Sequence, residues 1–170
     1  MAERQADAEV EYREFASARA TQLFRLAFLM CGDWHEAEDL VQTTLASLFV
    51  AWNRVRRRSS MDTYARRVLV NAFLSQRRLK RSRETPTAQF AELSAPASDA
   101  DLRLTLIAAL RTLPPRSRAV VVLRYLEDHS IESVAELLGA TPAAVKSLNT
   151  RGLAQLRELL SGDQQHLLQP

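Results

Sequence analysis

Between residues 34 and 53 the apolar side chains fall at Ala37, Leu40, Val41, Thr44, Leu45, Leu48 and Trp52, in steps of three and four. Only an α-helix returns such positions to one face, and that face needs a core to bury it. The opposite face carries Glu38, Asp39, Gln42, Thr43, Ala46 and Ser47. A weaker stripe of Phe15, Leu23, Leu26, Ala27 and Met30 predicts an earlier helix over about 10–31. A third helix is predicted over about 62–80, with Tyr64, Val68, Leu69, Ala72 and Leu79 inward. With only 4 glycines and 6 prolines in 170 residues, long helices and few hairpins are expected. Val120–Leu123 is the one strand-like run, and it is short and sits in a helical frame. The predicted fold is all-α.

Breakers divide the chain into two small helical domains. In "CGDW", Gly32 closes one helix and Asp33 caps the next. Residues 82–100, "SRETPTAQFAELSAPASDA", lose the helical period and gain two prolines, which suits a flexible linker. The first domain is therefore assigned to 1–81, the second to 101–161, and a short tail to 162–170. The second begins with Leu102, Leu106, Ala109, Leu110 and Leu113, and Pro114–Pro115 separates that helix from the following one.

"HSIESVAELLGATPAAVKS" then meets the requirements of a helix-turn-helix. Ala135 is small where the second helix crosses, and Gly139 permits a left-handed turn four residues on. Ile131, Val134, Leu138, Val145 and Leu148 hold the crossing. Thr141 caps the second helix and Pro142 suits its first position. Val145, Leu148, Gly152 and Leu156 face inward by spacing, which leaves Lys146, Ser147, Asn149, Thr150 and Arg151 as candidates for contact with DNA. Carboxylates are absent from this helix until Glu158, as a face laid against phosphates requires.

The formal net charge of +3 conceals a strong division. Residues 1–50 hold four Arg against nine Asp or Glu, whereas residues 54–83 hold eleven Arg or Lys against Asp62 alone. Such asymmetry points to a polyanion partner for the basic block. Arg54, Arg56, Arg57 and Arg58 cluster at the end of the second helix, and Arg66, Arg67, Arg77 and Arg78 run along the third. Tyr64 and Asn71 lie about 20° from alignment on that helix. Together they could stack on an unpaired base and read its edge, or Tyr64 could belong to the core.

Other classes fit less well. A single cysteine, Cys31, excludes an internal disulfide and fits a reducing compartment. No apolar run approaches the ~20 residues of a membrane span, and the acidic N-terminus is no secretory signal. A soluble, cytoplasmic chain is expected. Cys31, His35 and Asp39 are spaced by fours, but "CGDW" breaks the helix that would align them as metal ligands. There is no glycine-rich phosphate loop, nucleophile elbow or paired-histidine motif. No enzyme, metal, cofactor or small-molecule substrate is expected. A stand-alone helix-turn-helix regulator is the main rival reading, and the arginine run and acidic-polar helix count against it.

Three features together are more specific than any one. The acidic helix "EAEDLVQTTLASLFVAW", the basic helix "YARRVLVNAFLSQRRLKR" and the helix-turn-helix behind a linker resemble bacterial sigma factors of the extracytoplasmic-function group in the sigma-70 family, over nearly the whole chain. Residues about 10–80 are similar to region 2 and about 101–160 to region 4; "LPPRSRAVVVLRYLE" and "AAVKS" are similar to the usual region 4 phrases. The resemblance implies binding to core RNA polymerase and to promoter DNA, both duplex and melted. Region 2 would capture and open the minus-ten element, and region 4 would read the minus-thirty-five element. It further implies a polymerase-binding role for Glu38, Asp39, Gln42, Thr43 and Ser47, against the clamp's coiled coil. Tyr64 and Asn71 match the aromatic and asparagine of the region 2 basic helix, and a base pocket would fall near Arg54 to Asp62. The apolar and acidic surface of region 2 would also suit an anti-sigma protein. The chain departs from the family at Leu148, Asn149 and Thr150, where an arginine-rich phrase is more usual; this bears on the minus-thirty-five preference.

Overall fold

A computed structural model describes the backbone of residues 2–56, 60–83 and 99–166. It contains seven α-helices and one π-helical turn among these residues, in agreement with the all-α expectation. The N-terminal unit comprises α1 (Ala2–Cys31), α2 (Trp34–Val55) and α3 (Met61–Arg83). The C-terminal unit comprises α4 (Asp99–Thr112), α5 (Pro115–Val121), the π-turn (Val122–Leu126), α6 (Ile131–Leu138) and α7 (Pro142–His166). Helix α7 continues through 166, so the expected tail from 162 is in part its last turn; residues 167–170, like 84–98 of the expected linker, lie outside the described residues.

The break between α1 and α2 forms as its sequence dictates. Gly32 adopts φ +68°, and its amide donates to Phe28 O at 2.7 Å. Asp33 then accepts from the Glu36 amide at 2.9 Å, and this bond holds its carboxyl below the usual carboxylate range. The whole predicted stripe of α2 turns inward: Ala37, Leu40, Val41, Thr44, Leu48 and Trp52 are buried and Leu45 is half-buried. Thr44 is tolerated there because its hydroxyl donates to Leu40 O at 2.8 Å.

Helix α3 corrects the expected inner face. Its buried residues are Ala65, Leu69, Val70 and Phe73, whereas Tyr64, Val68 and Ala72 are half-buried and Leu79 is exposed. Two apolar stripes compete on this helix about 100° apart, and the one with the largest ring, Phe73, wins the core. Similarly, Leu102 is exposed while Ala109, Leu110 and Leu113 are buried.

The two units dock on each other. Arg118 of α5 is only 5% exposed, and its guanidinium donates to Met30 O at 2.6 Å, Arg111 O at 2.7 Å and Leu113 O at 3.1 Å. Two helix C-termini, those of α1 and α4, thus direct carbonyls at one cation, the sign that a helix end favours. Burial, followed by the nearby Arg77 charge, lowers the Arg118 pKa to about 10. Phe73 lies between the two guanidiniums, with Arg77 5.5 Å and Arg118 5.7 Å from its ring centre. At the same seam, a side chain on Gly32 would meet the Arg111 stem and Ile107 of α4. Arg66 of α3 faces Glu127 at 3.6 Å.

Candidate nucleic-acid interface

The helix-turn-helix is built by local chemistry. Ser130 caps α6 by accepting from the Ser133 amide at 3.1 Å. Gly139 takes φ +58°, and the following Ala140 amide donates to Ala135 O at 2.9 Å, which satisfies carbonyls at the end of α6. Thr141 accepts from the Ala144 amide at 3.2 Å and starts α7. Val134, Ala135, Leu137, Leu138 and Val145 are buried at the crossing, with Ile131 and Leu148 packed at its edge. Gly152 lets α7 approach α5 closely, since a Cβ there would stand 2.9 Å from Val121 Cγ2.

This packing leaves Thr141, Lys146, Ser147, Thr150 and Arg151 exposed on the outer side of α7. The Thr150 hydroxyl donates to Lys146 O at 3.0 Å and Arg151 Nε to Ser147 O at 3.4 Å, so both are ordered by their own helix. Asn149 is placed differently. It is half-buried on the flank of α7, where its Nδ2 donates to Tyr125 Oη at 3.0 Å. Tyr125 is half-exposed on the π-turn, with Arg124 5.6 Å from its ring centre.

On the basic block the cations divide into two groups. Arg54, Arg67 and Arg78 are exposed, as is Asn71, whereas Tyr64 is half-buried against the core. Arg56 is turned back onto α1 and bonds Glu11 at 2.9 Å. Arg77 bonds Glu36 at 2.6 Å and Cys31 O at 3.4 Å, and Lys80 also pairs with Glu36. Arg57 and Arg58 lie outside the described residues. The docked units enclose a groove of about 710 Å³, whose walls include Asn71, Arg77, Arg78 and Arg81 from α3 and Arg116 and Arg151 from the C-terminal unit. Its lining contains five arginines and no carboxylate, a field suited to a polyanion.

The acidic-polar face of α2 is assembled as expected. Glu38, Asp39, Gln42, Thr43 and Ser47 are all exposed along one side of it. Ser47 donates to Thr43 O at 2.9 Å, and His35 lies 3.8 Å from Glu38. Cys31 is buried while the neighbouring His35 is exposed, so the sequence-spaced trio with Asp39 does not converge.

Sequence reasoning missed two features. One is the Arg118–Phe73–Arg77 stack; its only signal was an arginine inside the apolar run "RAVVVL", a place that demands a buried partner. The other is Trp34, which is 57% exposed and rests on Phe24 and Phe28. No helix among the described residues is long and apolar enough to cross a membrane.

Comparison with known proteins agrees with this geometry. Residues 15–83 match the family described as sigma-70 region 2, and residues 103–156 match sigma-70, region 4. The RNA polymerase sigma-E factor of Streptomyces coelicolor is 37% identical over 155 residues, covering 89% of this chain and 86% of that protein. The ECF RNA polymerase sigma factor SigE of Mycolicibacterium smegmatis is 34% identical over 158 residues, covering 87% of this chain and 61% of that protein. Among solved structures, the sigma factor RpoE of Bartonella quintana, in complex with the anti-sigma factor NepR, superposes with a TM-score of 0.71 at 26% identity, covering 90% of this chain and 98% of that one. The chain belongs to the sigma-70 family, in its extracytoplasmic-function group: a non-enzymatic sigma factor that binds core RNA polymerase and directs promoter recognition through regions 2 and 4.

Proposed function

We propose that the two units divide the promoter between them. Region 2, assigned to residues 1–81, holds the polymerase clamp through Glu38, Asp39, Gln42, Thr43 and Ser47 and opens the minus-ten element with Tyr64, Asn71 and the exposed arginines. Region 4, assigned to residues 101–161, reads the minus-thirty-five element as duplex with Lys146, Ser147, Thr150 and Arg151. The observation that carries this reading is the outer face of α7: four short or cationic side chains exposed together on a helix with no acid in its first turn. Its work belongs in the cytoplasm, where polymerase and DNA are. The likeness to a sigma factor held by NepR supports control by an anti-sigma protein on region 2's apolar and acidic surface.

The mechanism needs two kinds of recognition. Phosphate contacts by Arg67, Arg78 and Lys146 position the chain, while base-edge contacts by Asn71 and the α7 face supply specificity. Opening follows from preferential binding of the separated strand, through stacking that plain cations do not provide. Elements about 25 base pairs apart span roughly 85 Å of duplex. Asn71 and Arg151, which line one groove in the docked arrangement, therefore part when both elements are read.

Run-off transcription with core polymerase tests the assignment. Asn71→Ala and Lys146→Ala should each lower output, but only Asn71→Ala should slow promoter opening on a preformed complex. Normal opening and normal output from both variants would refute these residue roles.

A further inference from the structure

Trp34 occupies an unusual place. It is the first residue of α2, immediately after the Asp33 cap, and 57% of it is exposed. Helix capping and core packing do not require an aromatic ring there, and the chain's other tryptophan, Trp52, is 5% exposed. Yet the Trp34 ring is held in place. Its centre lies 4.5 Å from that of Phe24 and 6.2 Å from that of Phe28, and those two rings stack on each other at 6.2 Å, 12° from parallel. An ordered, outward-facing tryptophan loses little side-chain freedom on binding, and such residues are enriched among those that dominate interfaces.

Its surroundings define the partner. Trp34, Glu38 and Gln42 follow one another at four-residue steps, so the ring continues the polar line of α2 toward its N-terminus. The charged groups beside it are His35, Glu38 and Asp39, while Glu36 is turned inward to Arg77 and Lys80. An aromatic platform bordered by carboxylates suits a protein surface with apolar and basic side chains, and it repels nucleic acid.

We propose that Trp34, seated on Phe24 and Phe28, is an anchor through which this chain grips core RNA polymerase. This rests on the functional reading above and extends the polymerase contact from the polar residues of α2 to an aromatic end. The ring fills an apolar recess on the polymerase, and Glu38 and Asp39 meet cations at its border.

Hydroxyl-radical footprinting of the full chain, free and bound to core polymerase, tests it directly. Trp34 should be oxidised readily in the free chain and protected several-fold in the complex, whereas Trp52 should be shielded in both. In competition binding, Trp34→Ala should weaken polymerase affinity tenfold or more without altering the circular dichroism spectrum, and Trp34→Phe should recover most of the loss. Equal oxidation of Trp34 in both states, or unchanged affinity of Trp34→Ala, would overturn the proposal. So would protection that arises only when promoter DNA is added. A wild-type chain that does not bind core polymerase at all would instead overturn the functional reading on which it rests.

Discussion

The basic helix of region 2 and the reading helix of region 4 are both expected to meet DNA, but they use their cations differently. Helix α3 spends several internally: Arg66 faces Glu127, while Arg77 and Lys80 share Glu36. Lys146 and Arg151 of α7 are exposed and form no ion pair among the described residues. A count of positive charges thus overstates the DNA-facing surface of region 2 and describes that of region 4 fairly. The difference arises because α3 is packed between its own unit and the other, so half its circumference must answer to protein. Helix α7 has one face committed to the core and another open to solvent.

This contrast can be broken most severely at Arg118, the cation given wholly to the interior. Arg118→Met keeps an apolar stem but leaves three carbonyls without their donor. Urea unfolding should show a loss of about 3 kcal/mol, since each unsatisfied buried acceptor costs about 1–3 kcal/mol and the losses do not simply add. A stability within 0.5 kcal/mol of wild type would mean that water replaces the guanidinium freely. Next comes the adjacent pair Arg77 and Arg78. Arg77→Ala should cost about 1 kcal/mol in stability and leave the salt dependence of promoter binding nearly unchanged. Arg78→Ala should do the reverse, reducing the slope of log affinity against log salt by about 1. Identical behaviour of the two variants would erase the distinction between internal and outward cations.

The smallest effect is expected with pH. Burial, aided by the Arg66 charge, lowers the His129 pKa from its usual 6.5. The unfolded chain therefore takes up this proton first as pH falls. Stability is retained above 6.5 and declines as pH drops from there toward the folded pKa. Replacement by Gln should flatten that decline in thermal unfolding curves between pH 7 and 5. A steeper decline after replacement would assign the titration to another group.

Much of this architecture was legible because the relevant signals are local. Gly32, Asp33, Gly139 and Thr141 each act within four residues, and the structure puts all four to the use their chemistry suggests. The α2 stripe was legible because its apolar face has no rival on the helix. Helix α3 presented two rival stripes, and only the position of α1, α2 and α5 around Phe73 decides between them. The site followed the same rule. The outer face of α7 and the polar face of α2 could be read from helical spacing alone. The inward turn of Arg56 and Arg77 could not, since Glu11 and Glu36 are more than forty residues away in sequence. Asn149 was drawn to the flank by Tyr125, a partner 24 residues earlier that no helical period connects to it.

The π-turn at Val122–Leu126 has a consequence for how region 4 tolerates change in length. Its closing bond runs from the Glu127 amide to Val122 O, five residues back rather than four, so this turn accommodates one residue more than an α-turn. Removing a single residue within it would restore ordinary α-helical winding and rotate all that follows by about 100°. Tyr125 would leave Asn149, and the reading helix would face a different direction with every one of its own residues intact. Among homologous chains, insertions and deletions at this turn would therefore re-aim the reader, while those after Leu160 would leave its aim untouched.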